Sequence, residues 1–140
     1  MSTSIKHLLH IKATPHTVYQ AISTVEGLAG WWTKDTTGDA NLNGVLEFRF
    51  GAQFTNTMKV RELRPDELVV MECIDAVPDW IGTTLTFRID DGDGSTRLRF
   101  EHGGWSNTGD FYAQCNFSWG RYMESLRNLC ESGRGNPFTI

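Results

Sequence analysis

Five consecutive segments in the middle of the chain share one rhythm, and that rhythm admits few folds. Leu46, Phe48 and Phe50 alternate with Glu47 and Arg49, and Met58 and Val60 alternate with Lys59 and Arg61. Val69, Met71 and Cys73 alternate with Val70 and Glu72, and Leu85, Phe87 and Ile89 with Thr84, Thr86 and Arg88. Leu98, Phe100 and His102 then alternate with Arg97, Arg99 and Glu101. A period of two gives each strand one dry and one wet face, which predicts an antiparallel, half-exposed sheet in hairpin order. Arg64-Pro65-Asp66-Glu67 and Asp90-Asp91-Gly92-Asp93-Gly94 supply turns. Opposite charges on the wet face pair across strands for about a few tenths of a kcal/mol each, so that charge set needs no partner to explain it.

The flanks read differently. Ile5 to Ala13 is a first strand, with Ile5, His7, Leu9 and Ile11 on one face. Thr14-Pro15 opens a helix, Thr as N-cap and Pro at the first helical position. Val18, Ala21, Ile22 and Val25 follow at helical spacing, and a second short turn carries Leu28, Trp31 and Trp32. After Gly103-Gly104 the period changes. From about Thr108 to Ser132, Phe111, Cys115, Trp119, Tyr122, Met123, Leu126, Leu129 and Cys130 fall three and four apart, and Gly133 closes the helix. Such a helix is about 37 Å long and is the one element able to cover the dry face of the sheet. The expected fold is α+β: a curved antiparallel six-stranded sheet wrapped around a long C-terminal helix, with two short helices after the first strand. This is the helix-grip arrangement. A curved sheet and a straight helix touch at one end and diverge at the other, leaving a tapered space between them.

Length and composition narrow the function. At 140 residues the chain is expected to form a single domain, 1–140, whose core needs no staples. No apolar run spans a bilayer, and Met1 to His7 lacks the pattern of a secretory signal. A net charge of −4 without basic clusters argues against nucleic acid. Cys73, Cys115 and Cys130 are widely spaced and form no CxxC pair, which fits buried thiols in a reducing compartment and a cytoplasmic location. Eight Phe, five Trp and three Tyr are a large apolar payload for so small a body.

Three stretches carry a resemblance. They are Leu28-Ala29-Gly30-Trp31-Trp32; Trp80-Ile81-Gly82-Thr83 with Leu98-Arg99-Phe100-Glu101-His102-Gly103-Gly104-Trp105; and Trp119-Gly120 followed by Leu126, Leu129, Glu131 and Gly133. In this order the set resembles the START-like (SRPBCC) superfamily, in its branch named for the activator of heat-shock-protein ATPase. The resemblance covers nearly the whole chain and implies the helix-grip fold. Relatives bind lipids, sterols, plant metabolites or polyketides, some cyclise polyketides, and one branch stimulates a chaperone ATPase, so fold alone does not decide activity.

Each candidate residue has a bland counterpart. Trp31 and Trp32 point about 100° apart on a helix, so one packs in the core while the other caps the opening between sheet and helix. Phe48, Phe50, Phe87, Phe100, Trp119 and Met123 point into the space between sheet and helix, where they either fill it or line a pocket for an apolar ligand. The candidate ligand-binding set is Trp32, Phe48, Phe50, Met58, Met71, Trp80, Phe87, Phe100, His102, Trp105, Phe111, Cys115, Trp119 and Met123. His102, on the dry face near Trp105, either orients a ligand or moves a proton, or is satisfied by a buried hydroxyl or carboxylate. His7 on the first strand is a weaker candidate for the same interior. No metal site is expected, because His102 with Cys73 or Cys115 lacks further ligands. The loop Asp90 to Ser95 misses the calcium pattern. No nucleophile motif is present, so no catalytic residue is assigned and no cofactor is expected.

The leading expectation is a domain, monomer or homodimer, that binds a small apolar or aromatic molecule between sheet and C-terminal helix. The alternatives are an interaction module with a chaperone as partner, and a cyclase or lyase of the same fold using His102.

Overall fold

The computed structural model describes residues 3–92 and 94–139. Met1 and Ser2 of the N-terminal stretch and Asp93 of the expected turn lie outside the described residues. The elements run β1 (Thr3–Ile11), α1 (Pro15–Ser23), α2 (Val25–Trp31), β2 (Asp35–Gly38), β3 (Val45–Phe50), β4 (Phe54–Arg64), β5 (Leu68–Asp75), β6 (Thr84–Gly92), β7 (Ser95–Trp105) and α3 (Asp110–Ser132). The five alternating segments form β3 to β7. Their antiparallel sheet has the order β1-β7-β6-β5-β4-β3-β2 and is laid against α3, which is the predicted helix grip.

The sheet has seven strands rather than the expected six. The additional one, β2, pairs with β3 from Asp35↔Arg49 to Gly38↔Leu46. Asp-Thr-Thr-Gly has no apolar alternation to announce it, and only Thr36 is buried. It is a short polar edge strand, the kind that discourages pairing with another chain. At the other edge β1 pairs with β7, bringing His7 opposite Phe100 and Leu9 opposite Leu98. Register shifts between Thr57 and Met58 and between Val60 and Glu62 break the β4–β5 ladder. Bulges of this kind bend a strand and increase its twist, which curves the sheet toward the helix.

The helix caps follow the sequence. Thr14 Oγ1 accepts from the Thr17 amide at 3.1 Å, with Pro15 in the first turn. Thr24 Oγ1 does the same for Gly27 at 2.9 Å, opening α2. In α3 the buried stripe is Cys115, Trp119, Met123, Ser125 and Leu126. Gly133 ends it in the left-handed region (φ 83°), its amide donating to Leu129 O at 2.9 Å. At 23 residues the helix is about 35 Å long. Among the described residues no helix is long and apolar enough to cross a membrane.

Beyond Gly133 the tail turns back across the molecule. The Phe138 amide donates to Trp32 O at 2.9 Å, and the Lys34 amide donates to Phe138 O at 3.0 Å, a parallel bridge beside Thr33. The Asn136 amide donates at 2.6 Å to Ser125 Oγ, whose own hydroxyl donates to Trp31 O at 2.9 Å. One buried hydroxyl thus ties α2, α3 and the tail together. Gly135 sits where a Cβ would fall 2.4 Å from Gly30 O and 2.9 Å from Ser125 O, so backbone leaves no room for a side chain. Gly135→Ala is expected to cost about 1–3 kcal/mol. Chemical denaturation checks this: a lower midpoint with unchanged slope is expected, and an unchanged midpoint contradicts the tight seat.

Candidate functional site

Between α3 and the β3–β4 side of the sheet, a cavity of about 750 Å³ opens to solvent. Trp32 comes from the end of α2, Phe50 from β3, Phe54 and Asn56 from β4, and Gly51, Ala52 and Gln53 from the turn between these strands. Trp80 enters from the loop between β5 and β6, and Phe138 from the tail. The helix contributes Phe111, Gln114, Cys115, Ser118, Trp119 and Tyr122, spaced so that they share one face. No Asp, Glu, Lys, Arg or His side chain is among these residues.

The walls are mutually packed aromatics. The Trp32 and Trp80 rings lie 6.4 Å apart at 17°, and Trp80 and Trp119 lie 6.1 Å apart at 20°. Trp32 also meets Phe48 at 4.4 Å, while Phe50 lies 5.5 Å from Phe138. Trp31 and Trp32 divide as their angular separation requires. Trp31 is enclosed in the core, its indole N–H donating to Ala21 O at 2.9 Å, and Trp32 faces the cavity.

Of the candidate residues, Trp32, Phe50, Trp80, Phe111, Cys115 and Trp119 meet at this cavity. Phe48, Met58, Met71, Phe87, Phe100, Trp105 and Met123 do not line it; they are buried in the packed core. All of these point inward, but alternation does not report how far the helix stands off at each level. Gly51, Ala52, Gln53, Phe54, Asn56, Gln114, Ser118, Tyr122 and Phe138 line the cavity without having been singled out. Tyr122 belongs to the helical stripe already read from the sequence, so a signal existed for it. Phe138 lies beyond the helix-closing glycine, where no periodicity marks it.

His102 lies behind the walls rather than among them. Its Nδ1 accepts from the Trp119 indole N–H at 3.0 Å, and its Nε2 lies 2.9 Å from Thr83 Oγ1. An indole nitrogen can only donate, so Nδ1 is bare and Nε2 carries the proton. Thr83 Oγ1 accepts that proton and donates its own to Trp80 O at 2.6 Å. Every polar atom in this relay is satisfied within the protein, and both ends of the relay hold a cavity tryptophan. Burial drives the imidazole down to about 3, so the ring is neutral. His7 is only half-buried and bonds Asn116 of α3 at 3.0 Å.

The three cysteines are free thiols. Burial raises all three, Cys73 to about 11 and Cys130 to about 12, which keeps each in the less nucleophilic form. Among the described residues no group of three or more His, Cys, Asp and Glu side chains is placed to hold a metal ion.

The family described as activator of Hsp90 ATPase homolog 1-like protein matches residues 12–131. Among solved structures, the Aha1 dimer from Colwellia psychrerythraea is 35% identical, with a TM-score of 0.86 over 95% of this chain and 99% of that one. The protein MLL2253 from Mesorhizobium loti is 14% identical, with a TM-score of 0.79 over 91% of this chain and 96% of that one. The protein BH1534 from Bacillus halodurans is 19% identical, with a TM-score of 0.75 over 92% of this chain and 97% of that one. At those two identities the likeness shows the fold alone. No curated protein matches.

The neutral histidine makes stability depend on acid. The unfolded ring takes a proton below about pH 6.5, whereas the folded ring resists until about pH 3. Its contribution is therefore complete above pH 6.5 and falls, by about 1.4 kcal/mol for each pH unit, as acid is added. Denaturation curves between these limits are expected to have a shallower pH dependence in His102→Gln than in the parent. Equal slopes contradict the relay.

Proposed function

The chain belongs to the family of activator of Hsp90 ATPase homolog 1-like proteins, and from that premise we propose that it holds a small apolar or aromatic molecule in the cavity between sheet and C-terminal helix. The observation that carries this is an aromatic-walled space of about 750 Å³ with no charged side chain among the residues that line it. Ligand sites range over roughly 300–1,000 Å³ and are mostly apolar with a few polar groups, which is the character of these walls. Burying about 200 Å² of ligand apolar surface contributes about 5 kcal/mol before ordering costs. That supports a Kd of about 0.2 mM at best without polar help.

Binding is favoured over catalysis because both ring nitrogens of His102 are already occupied, leaving no proton to exchange with a ligand. The chaperone-docking alternative draws on the family's description and on the Colwellia relative, and the same relative makes a homodimer the first assembly to look for. Free thiols suit a reducing compartment, which supports a cytoplasmic location for this single START-like domain.

A neutral fluorescent naphthalene, N-phenylnaphthylamine, tests the proposal. Sub-millimolar binding is expected, with quenching of the cavity tryptophans. Ser118→Trp, which fills the space from α3, is expected to weaken binding at least tenfold while leaving the unfolding midpoint unchanged or raised. Absence of binding to the parent protein, or full binding by a folded Ser118→Trp, contradicts the site. A pull-down that recovers a chaperone equally well with Ser118→Trp supports the docking alternative.

A further inference from the structure

The walls of the cavity specify more than an apolar occupant, provided the cavity is the ligand site proposed above. Among the described residues, three buried side-chain polar atoms have no hydrogen-bond partner: Asn56 Oδ1, Trp80 Nε1 and Trp105 Nε1. Two of these three belong to residues that line this cavity. Asn56 is 5% exposed and Trp80 7%. The Cys115 thiol stands beside the Trp80 indole N–H, but sulfur is a weak acceptor and no hydrogen bond of acceptable geometry forms.

Orphaned polar atoms are rare in folded interiors and call for an explanation, which a ligand supplies here. Both atoms are already shut off from water, so the desolvation cost of each is borne by the empty protein. A ligand group that pairs with either gains a hydrogen bond without stripping further water from the protein. Both atoms lie beneath the cavity surface, so a turn of the Asn56 or Trp80 side chain is what presents them to a ligand. Charge is excluded by the same walls. An ion entering among these residues sheds its water and meets no counter-charge.

We propose that the cavity selects uncharged aromatic molecules carrying two polar groups: a carbonyl-type acceptor, which takes the Trp80 indole N–H, and a hydroxyl or N–H donor, which is given to Asn56 Oδ1. An indole N–H can only donate, so the acceptor on the ligand is fixed by Trp80. The amide oxygen of Asn56 fixes the donor.

Four probes on one frame test this: diphenylmethane, benzophenone, para-benzylphenol and para-hydroxybenzophenone, with para-benzoylbenzoate as the anionic comparison. Calorimetry is run below the phenols' own pKa, on the parent chain and on Trp80→Phe and Asn56→Leu. The doubly substituted probe is expected to bind tightest, and loss of either group to weaken it about fivefold to tenfold. Trp80→Phe keeps the ring wall and is expected to abolish the preference for the carbonyl while preserving that for the hydroxyl. Asn56→Leu is expected to do the converse. The anion is expected to bind at least tenfold more weakly than benzophenone. Equal affinities among the four probes, or preferences that survive in the variants, overturn the donor–acceptor assignment while leaving the ligand site standing. An anion that binds as tightly as benzophenone overturns the exclusion of charge. Failure of all four to bind the parent chain overturns the site itself.

Discussion

A straight helix cannot follow a bent sheet along its whole length. In this protein that mismatch decides where the interior is solid and where it is hollow. The C-terminal half of α3 meets the sheet and the short helices through Met123, Ser125 and Leu126, all buried. Its N-terminal half lies along β1, where Tyr112 donates to Ser4 O and Asn116 bonds His7, while Phe111, Cys115 and Ser118 face the cavity on the side of β3 and β4. Bulges in the β4–β5 ladder, one on each strand, favour such a bend in the backbone.

The relay from Trp119 through His102 and Thr83 to Trp80 keeps that hollow end in shape. It joins α3, β7 and the loop before β6, holding the Trp119 indole by its N–H and Trp80 by its backbone carbonyl, and both residues line the cavity. Because each donor has an acceptor, the buried imidazole costs little as long as it stays neutral. A histidine on the dry face of a strand is easily taken for a catalytic group. Here both of its ring nitrogens are taken up by neighbouring side chains.

The strands β3 to β7 and the long helix were legible in the sequence because alternation and three-four spacing record which side chains face inward. Both signals depend on runs of apolar residues. Asp-Thr-Thr-Gly has none, so β2 left no trace, and neither did the tail beyond Gly133. Telling wall from filling was harder for a different reason. Phe48 and Phe50 lie on the same face of one strand, yet Phe48 is wholly enclosed and Phe50 borders the cavity. What separates them is the distance to the helix at each level, a property of the folded sheet that no local pattern encodes. The orphaned Asn56 is still further from view, since an unmet hydrogen bond exists only once all its possible partners have been placed.

The tail adds an asymmetry to the cavity. Most of its wall belongs to strands and to a long helix, elements that share in the cooperative stability of the whole domain. Phe138 belongs to a segment pinned by a few hydrogen bonds to Trp32, Lys34 and Ser125. One wall of the cavity therefore rests on a part of the molecule that is held separately from the others, and substitution in the last few residues would reshape that wall while leaving the strands and the helix in place.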